Sequence, residues 1–165
     1  MRSIVVYHSD TGHTKYAAEY IAKRTSADLI RVRPSFPYNE ITRRIFGVRR
    51  ALFGSRDRVE PESIDVSGYD CIVVGSPVWA GSPTPVINGA IAAMEGCEGK
   101  EAVAFVTCCM AAGRAPGLLR WELESQGARL RGTFALCGHR YMDPAYLDRI
   151  VAMVTNPSRG RIPIE

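Results

Sequence analysis

Residues 5–14 read VVYHSDTGHT, an apolar block that runs into a cluster of hydroxyl, glycine and imidazole groups. Ser9, Thr11 and Thr14 offer hydroxyl donors without adding charge, and Asp10 lies between them. Gly12 lets the backbone approach a ligand closely, just before a helical pattern that begins near Thr14. Free N–H groups and the positive dipole end of a helix attract anions, so the spacing points to phosphate. The same small polar residues would also serve as simple helix caps. A triphosphate-binding P-loop needs GKS or GKT and a dinucleotide-binding turn needs GxGxxG, and the chain has neither. His13 is the one potential cation in the loop and reads either as a solvent-facing residue at the helix start or as a phosphate contact.

Two later segments have comparable character. In GSPVWAGSP, residues 75–83, Trp79 is flanked by Pro77, Gly81 and Pro83, which places it in a loop with Val78 and Ala80. A large aromatic in a loop more often serves binding than packing, and a flat apolar ligand gains from stacking on it. In TCCMAAGR, residues 107–114, Cys108 and Arg114 have the C-x5-R spacing of cysteine-dependent phosphatases, in which a thiolate attacks phosphorus. Ala115 stands where those enzymes carry Ser or Thr, which weakens that reading. Cys108 and Cys109 otherwise read as small apolar filler or as thiols placed beside a ligand.

These segments must be held by the elements that precede them. Apolar, β-branched runs at Ser3–Tyr7, Leu29–Val32, Cys71–Val74, Ala102–Val106 and Gly132–Cys137 predict five strands, mostly buried on both faces. Helical patterns at Thr14–Thr25, Asn39–Phe53, Pro85–Met94, Pro116–Gln126 and Pro144–Val154 alternate with them, the last opened by Asp143 as cap and Pro144 as first residue. Strict alternation predicts βαβ units, hence an α/β sandwich with a parallel sheet and helices on both faces. In such sheets ligands bind beyond the carboxyl ends of the strands, which is where the loops Ser9–Thr14, Pro77–Ser82 and Thr107–Ala115 begin. A response-regulator site would need an acidic pair after the first strand, Asp after the third and Lys after the fifth, and none is present.

A chain of 165 residues suits one domain, expected over residues 1–155, with Asn156–Glu165 as an irregular tail. Hydrophobic residues at 46% and charged ones at 23% are the balance of a globular chain. No apolar run approaches the roughly 20 residues of a membrane span, and no signal-peptide pattern opens the chain, so a cytoplasmic location is expected. The five cysteines are odd in number and form no CxxC pair, so neither a zinc site nor a disulfide framework is indicated and reduced thiols are expected. No metal and no nucleic-acid partner is expected. The net charge of +4 concentrates in Arg43, Arg44, Arg49, Arg50, Arg56 and Arg58, set against Asp57. That run reads as a solvated helix face or as a docking patch for an acidic redox partner or nucleotide phosphates.

Val5, Val6, Tyr7, Ser9, Gly12, Thr14, Ala18 and Ile21 fill each fixed position of the flavodoxin signature, and the chain resembles that family over most of its length. The resemblance implies a flavodoxin-like three-layer sandwich with a five-stranded parallel sheet of order 2-1-3-4-5. It implies FMN as cofactor, its phosphate held by Ser9, Asp10, Thr11, Gly12, His13 and Thr14, and its ring against Trp79 within Pro77–Gly81. Backbone of Thr107, Cys108, Cys109 and Gly113 would meet the pyrimidine side, and Gly81 would permit a peptide flip that lets a carbonyl in Pro77–Gly81 accept from N5–H. The implied function is electron transfer to a partner protein with no catalytic residue of its own. The alternatives are a small NAD(P)H-dependent FMN or quinone reductase on the same fold and, remotely, the phosphatase built on Cys108 and Arg114.

Overall fold

A computed structural model describes residues 1–36, 51 and 54–156. Five parallel strands form its central sheet: β1 (Ser3–Tyr7), β2 (Asp28–Arg31), β3 (Cys71–Trp79), β4 (Glu101–Cys108) and β5 (Arg129–Cys137). Their spatial order is β2-β1-β3-β4-β5, the expected 2-1-3-4-5, with every neighbouring pair parallel. Four α-helices accompany them among the described residues: α1 (His13–Thr25), α2 (Pro85–Ala92), α3 (Ala115–Ser125) and α4 (Pro144–Thr155).

The side-chain alternation of the strands produces two cores. Ile4 and Val6 of β1, Ile72 and Val74 of β3, and Ala102, Ala104 and Val106 of β4 face α2 and α3. Val5 and Tyr7, Cys71 and Val73, and Val103 and Phe105 take the other face, against Ala17, Ala18 and Ile21 of α1 and Leu147, Ile150 and Val154 of α4. The central strands are apolar on both sides because both faces are covered.

The helix starts follow local chemistry. Thr84 caps α2 by accepting from the Ile87 amide at 3.3 Å, with Pro85 in the first position. Asp143 does the same for α4 through the Ala145 amide at 2.9 Å. At the far end of α4, buried Arg131 reaches the Met153 and Asn156 carbonyls at 2.6 and 2.7 Å and lies 3.5 Å from the Glu101 carboxylate. A cation at a helix C-terminus satisfies carbonyls that the helix itself leaves open.

Three expectations need correction. The third strand does not stop at Val74: it continues to Trp79, and Val78 and Trp79 pair antiparallel with Ser82 and Pro83, so Pro77–Trp79 is strand and only Ala80 and Gly81 form a turn. Both turn residues have positive φ, 49° and 74°, as a tight two-residue hairpin requires. The cysteines are not all free, since Cys108 and Cys137 form a disulfide between the ends of β4 and β5, where they are register partners 4.5 Å apart at Cα. The phosphatase reading falls with it, because the bridged Cys108 offers no thiolate. The helix expected over 39–53 lies outside the described residues but for Ala51, and so do Arg43, Arg44, Arg49 and Arg50. The tail lies outside them beyond Asn156.

Candidate functional site

The loops that follow β1, β3 and β4 meet at the carboxyl edge of the sheet. The first begins with His8, whose amide donates to the Gly75 carbonyl at 3.1 Å and so carries the β1–β3 pairing past the strand end. Ser9 is buried, and its hydroxyl accepts from the Gly12 amide at 3.2 Å. Gly12 is the cap residue of α1 at φ 95°, a conformation that costs glycine nothing, and it contributes no capping side chain. The first helical turn holds no acidic residue and no side chain caps it, so the amides at the start of α1 present a positive end. Asp10, Thr11 and His13 are exposed around it.

Thr14 is buried, and its hydroxyl lies 2.7 Å from the Thr107 hydroxyl at the end of β4. That bond joins the first and third loops directly. The second loop joins them through glycine: the Arg114 amide donates to the Gly81 carbonyl at 2.7 Å, and a Cβ on Gly113 would stand 2.6 Å from the Gly81 Cα. A flip of the Gly81–Ser82 peptide would first have to break the bond to Arg114. Beneath the hairpin, the buried Ser76 hydroxyl accepts from the Thr84 amide at 3.2 Å, fixing the strand exit relative to α2.

Trp79 is partly buried at the hairpin end, and the His8 ring meets it edge-on, centroids 6.3 Å apart at 83°. His8 itself is buried with Nδ1 3.2 Å from the Val32 carbonyl, and burial lowers its pKa and favours neutral imidazole. Pro77 and Val78 lie in the strand beneath Trp79, and Ala80 is exposed at the turn. In the third loop Cys109 is exposed, while Cys108 is held in the bridge.

Four features escaped the sequence reading. Arg31, register partner of Tyr7 at the end of β2, donates to the Ser9 carbonyl at 3.0 Å, so a guanidinium stands beside a loop with no basic residue except His13. The parallel β1–β2 pairing was the signal that could have found it. Tyr141, in the 3₁₀ turn Gly138–Met142, stacks on His13 with centroids 4.2 Å apart, and Tyr16 meets it at 6.1 Å. His8 falls at an unrestricted position of the signature and carried no signal. The Cys108–Cys137 pair became visible only with the β4–β5 register. Among the described residues no group of His, Cys, Asp and Glu could hold a metal ion.

Solved structures share this architecture. A protein from Bacteroides uniformis described as a flavoprotein superposes with a TM-score of 0.74 at 21% identity, covering 90% of this chain and 97% of its own. A flavoprotein in complex with FMN from Lactobacillus acidophilus gives 0.66 at 21% identity, with the same coverage of 90% and 97%. Two-electron reduced flavodoxin from Megasphaera elsdenii gives 0.58 at 17% identity, covering 93% and 99%. No curated protein matches the chain. A family model described as Flavodoxin matches residues 2–120, and the chain therefore belongs to the flavodoxin family.

Proposed function

We propose that the chain is an FMN-binding electron-transfer protein that passes electrons to a partner protein. FMN is the cofactor that the family and the FMN-bound neighbour support. The observation that carries the reading is the meeting of three loops around the uncapped start of α1, with Trp79 at the rim. The donor set fits a phosphate: first-turn amides, the Thr11 hydroxyl and a nearby Arg31, with no acidic residue in the helical turn. The Gly81–Gly113 approach packs the second loop directly on the third, so the two together form one wall beside which a flat ring would lie.

FMN, when bound, supplies the one- or two-electron chemistry. The chain's own residues do the rest. The α1 amides with Ser9, Thr11 and Gly12 would orient the phosphate, with Asp10, His13 and Thr14 completing that loop. Trp79, with Pro77, Val78, Ala80 and Gly81 behind it, would cover one ring face and exclude water. Backbone of Thr107, Cys108, Cys109 and Gly113 would contact the polar ring edge. Residues 1–155 are read as one domain located in the cytoplasm. An acidic partner docking near Arg43, Arg44, Arg49 and Arg50 suits the basic balance of the chain. The Arg56 guanidinium is already paired with the buried Glu122 carboxylate at 2.9 Å and is a poor member of such a patch.

The test is to purify the protein, record its visible spectrum, identify any chromophore released by heat, and mix the loaded protein anaerobically with NADPH. Released FMN together with slow bleaching is expected. Bleaching at a catalytic rate would replace the carrier with the reductase, and a protein that stays colourless when titrated with FMN would overturn both.

A further inference from the structure

The five cysteines are sorted by place. Cys71 and Cys97 are buried, and desolvation pushes their thiols up, Cys71 to about 12, so neither is a nucleophile at neutral pH. The other three gather at the carboxyl edge of the sheet beside the site. Cys108 ends β4, Cys137 ends β5 and Cys109 follows directly. The bridged pair is partly exposed rather than sealed in the core, and Cys109 is exposed and free. A bridge within reach of solvent is open to attack by an outside thiolate, and exposed bridges are the labile and regulatory ones.

The bridge also spans two parts of the site's rim. On its β4 side lies the third loop, tied to the first by the Thr14–Thr107 bond and to the second by Gly81 and Arg114. On its β5 side lies the turn Gly138–Met142, whose Tyr141 stacks on His13 of the first loop. Past the β4–β5 ladder, which ends at Cys108 and Cys137 themselves, a further backbone bond joins the two sides, from the Gly138 amide to the Cys109 carbonyl at 3.0 Å.

We propose that Cys108–Cys137 is a thiol–disulfide exchange site for a dithiol, and that its oxidation state sets how firmly the third loop holds FMN. In the exchange, one thiolate of the dithiol attacks a bridge sulfur, a mixed disulfide forms and the other cysteine leaves as thiolate. The second thiolate then attacks the mixed disulfide. The dithiol departs as its own disulfide, and two electrons and two protons end on Cys108 and Cys137 as a pair of thiols. With the bridge open, the third loop is free of β5 except through hydrogen bonding, and the geometry it offers a ligand is less fixed. The exchange stands without any cofactor, whereas the coupling rests on the FMN reading.

The experiment equilibrates the full-length, air-oxidised protein in graded mixtures of oxidised and reduced dithiothreitol. Free thiols are then trapped by alkylation under native conditions and assigned by peptide mass spectrometry, with circular dichroism checking the fold. FMN affinity is measured for both end states. Cys108 and Cys137 should become alkylated together while the fold persists and Cys71 and Cys97 stay protected. FMN should bind about fivefold or more weakly in the reduced form, reversibly. The double variant Cys108→Ser with Cys137→Ser should match the reduced form and ignore dithiothreitol. Free Cys108 and Cys137 in the air-oxidised protein, or a bridge that opens only on unfolding, would overturn the exchange site. Equal FMN affinity in both states would overturn the coupling. Failure of both states to bind FMN would overturn the cofactor reading and the coupling with it, while the exchange is still decided by alkylation.

Discussion

His8 shows how much one side chain can add at a position that a motif leaves open. It packs edge-on against Trp79 and is buried, and that burial lowers its pKa from the ordinary 6.5. The folded state therefore binds the proton less readily than the unfolded chain. Its contribution to stability is complete above about pH 6.5 and is lost as pH falls through the depressed folded value. The thermal midpoint of the wild type should accordingly drop more steeply from pH 7 to pH 5 than that of His8→Gln; parallel curves would contradict this. Thr11 is exposed on the first loop, whereas the Thr14 hydroxyl is engaged with Thr107. Thr11→Ala should thus weaken FMN binding about tenfold, the worth of one hydrogen bond to a charged group, and leave riboflavin binding nearly unchanged in parallel titrations. Ser9, Thr11, Gly12 and Trp79 stand out in the sequence as candidates because their chemistry is local. Arg31, Tyr141 and the Cys137 partner of Cys108 were not legible, since each acts on a residue that only strand pairing or tertiary packing brings near.

Strands and helices were legible where apolar periodicity was uninterrupted. β1 has the bounds its apolar block suggested, and α2 and α4 begin at the prolines that mark them. β3 runs beyond its apolar block, although Gly75, Ser76 and Pro77 are turn residues by propensity. Pairing of Pro77 with Thr107 and the hairpin through Ala80 and Gly81 override that propensity. Arg131 was equally hidden, a charged residue in an edge strand whose purpose is the C-terminus of α4. It is buried and holds two carbonyls beside the Glu101 carboxylate. Arg131→Met should destabilise the protein by about 2–4 kcal/mol, measured by urea denaturation, because the acceptors it leaves are partly buried. A loss below about 0.5 kcal/mol would mean that water satisfies them equally well.

The whole chain joins a basic balance to a site built mainly from neutral donors. No helix among the described residues is long and apolar enough to cross a membrane. The α/β class and the strand order followed from alternation and from the family signature, while the disulfide at the site's edge did not, because an odd number of cysteines without a CxxC pair hides a cross-strand pair. In the proposed function the start of α1 and its loop exist to hold a phosphate. Calorimetric titration of the cofactor-free protein with FMN and with riboflavin, at one salt concentration, tests that claim most directly. FMN should bind at least about a hundredfold more tightly, the worth of two charge-assisted hydrogen bonds. Equal affinities would contradict it and show that the first loop is only a helix cap.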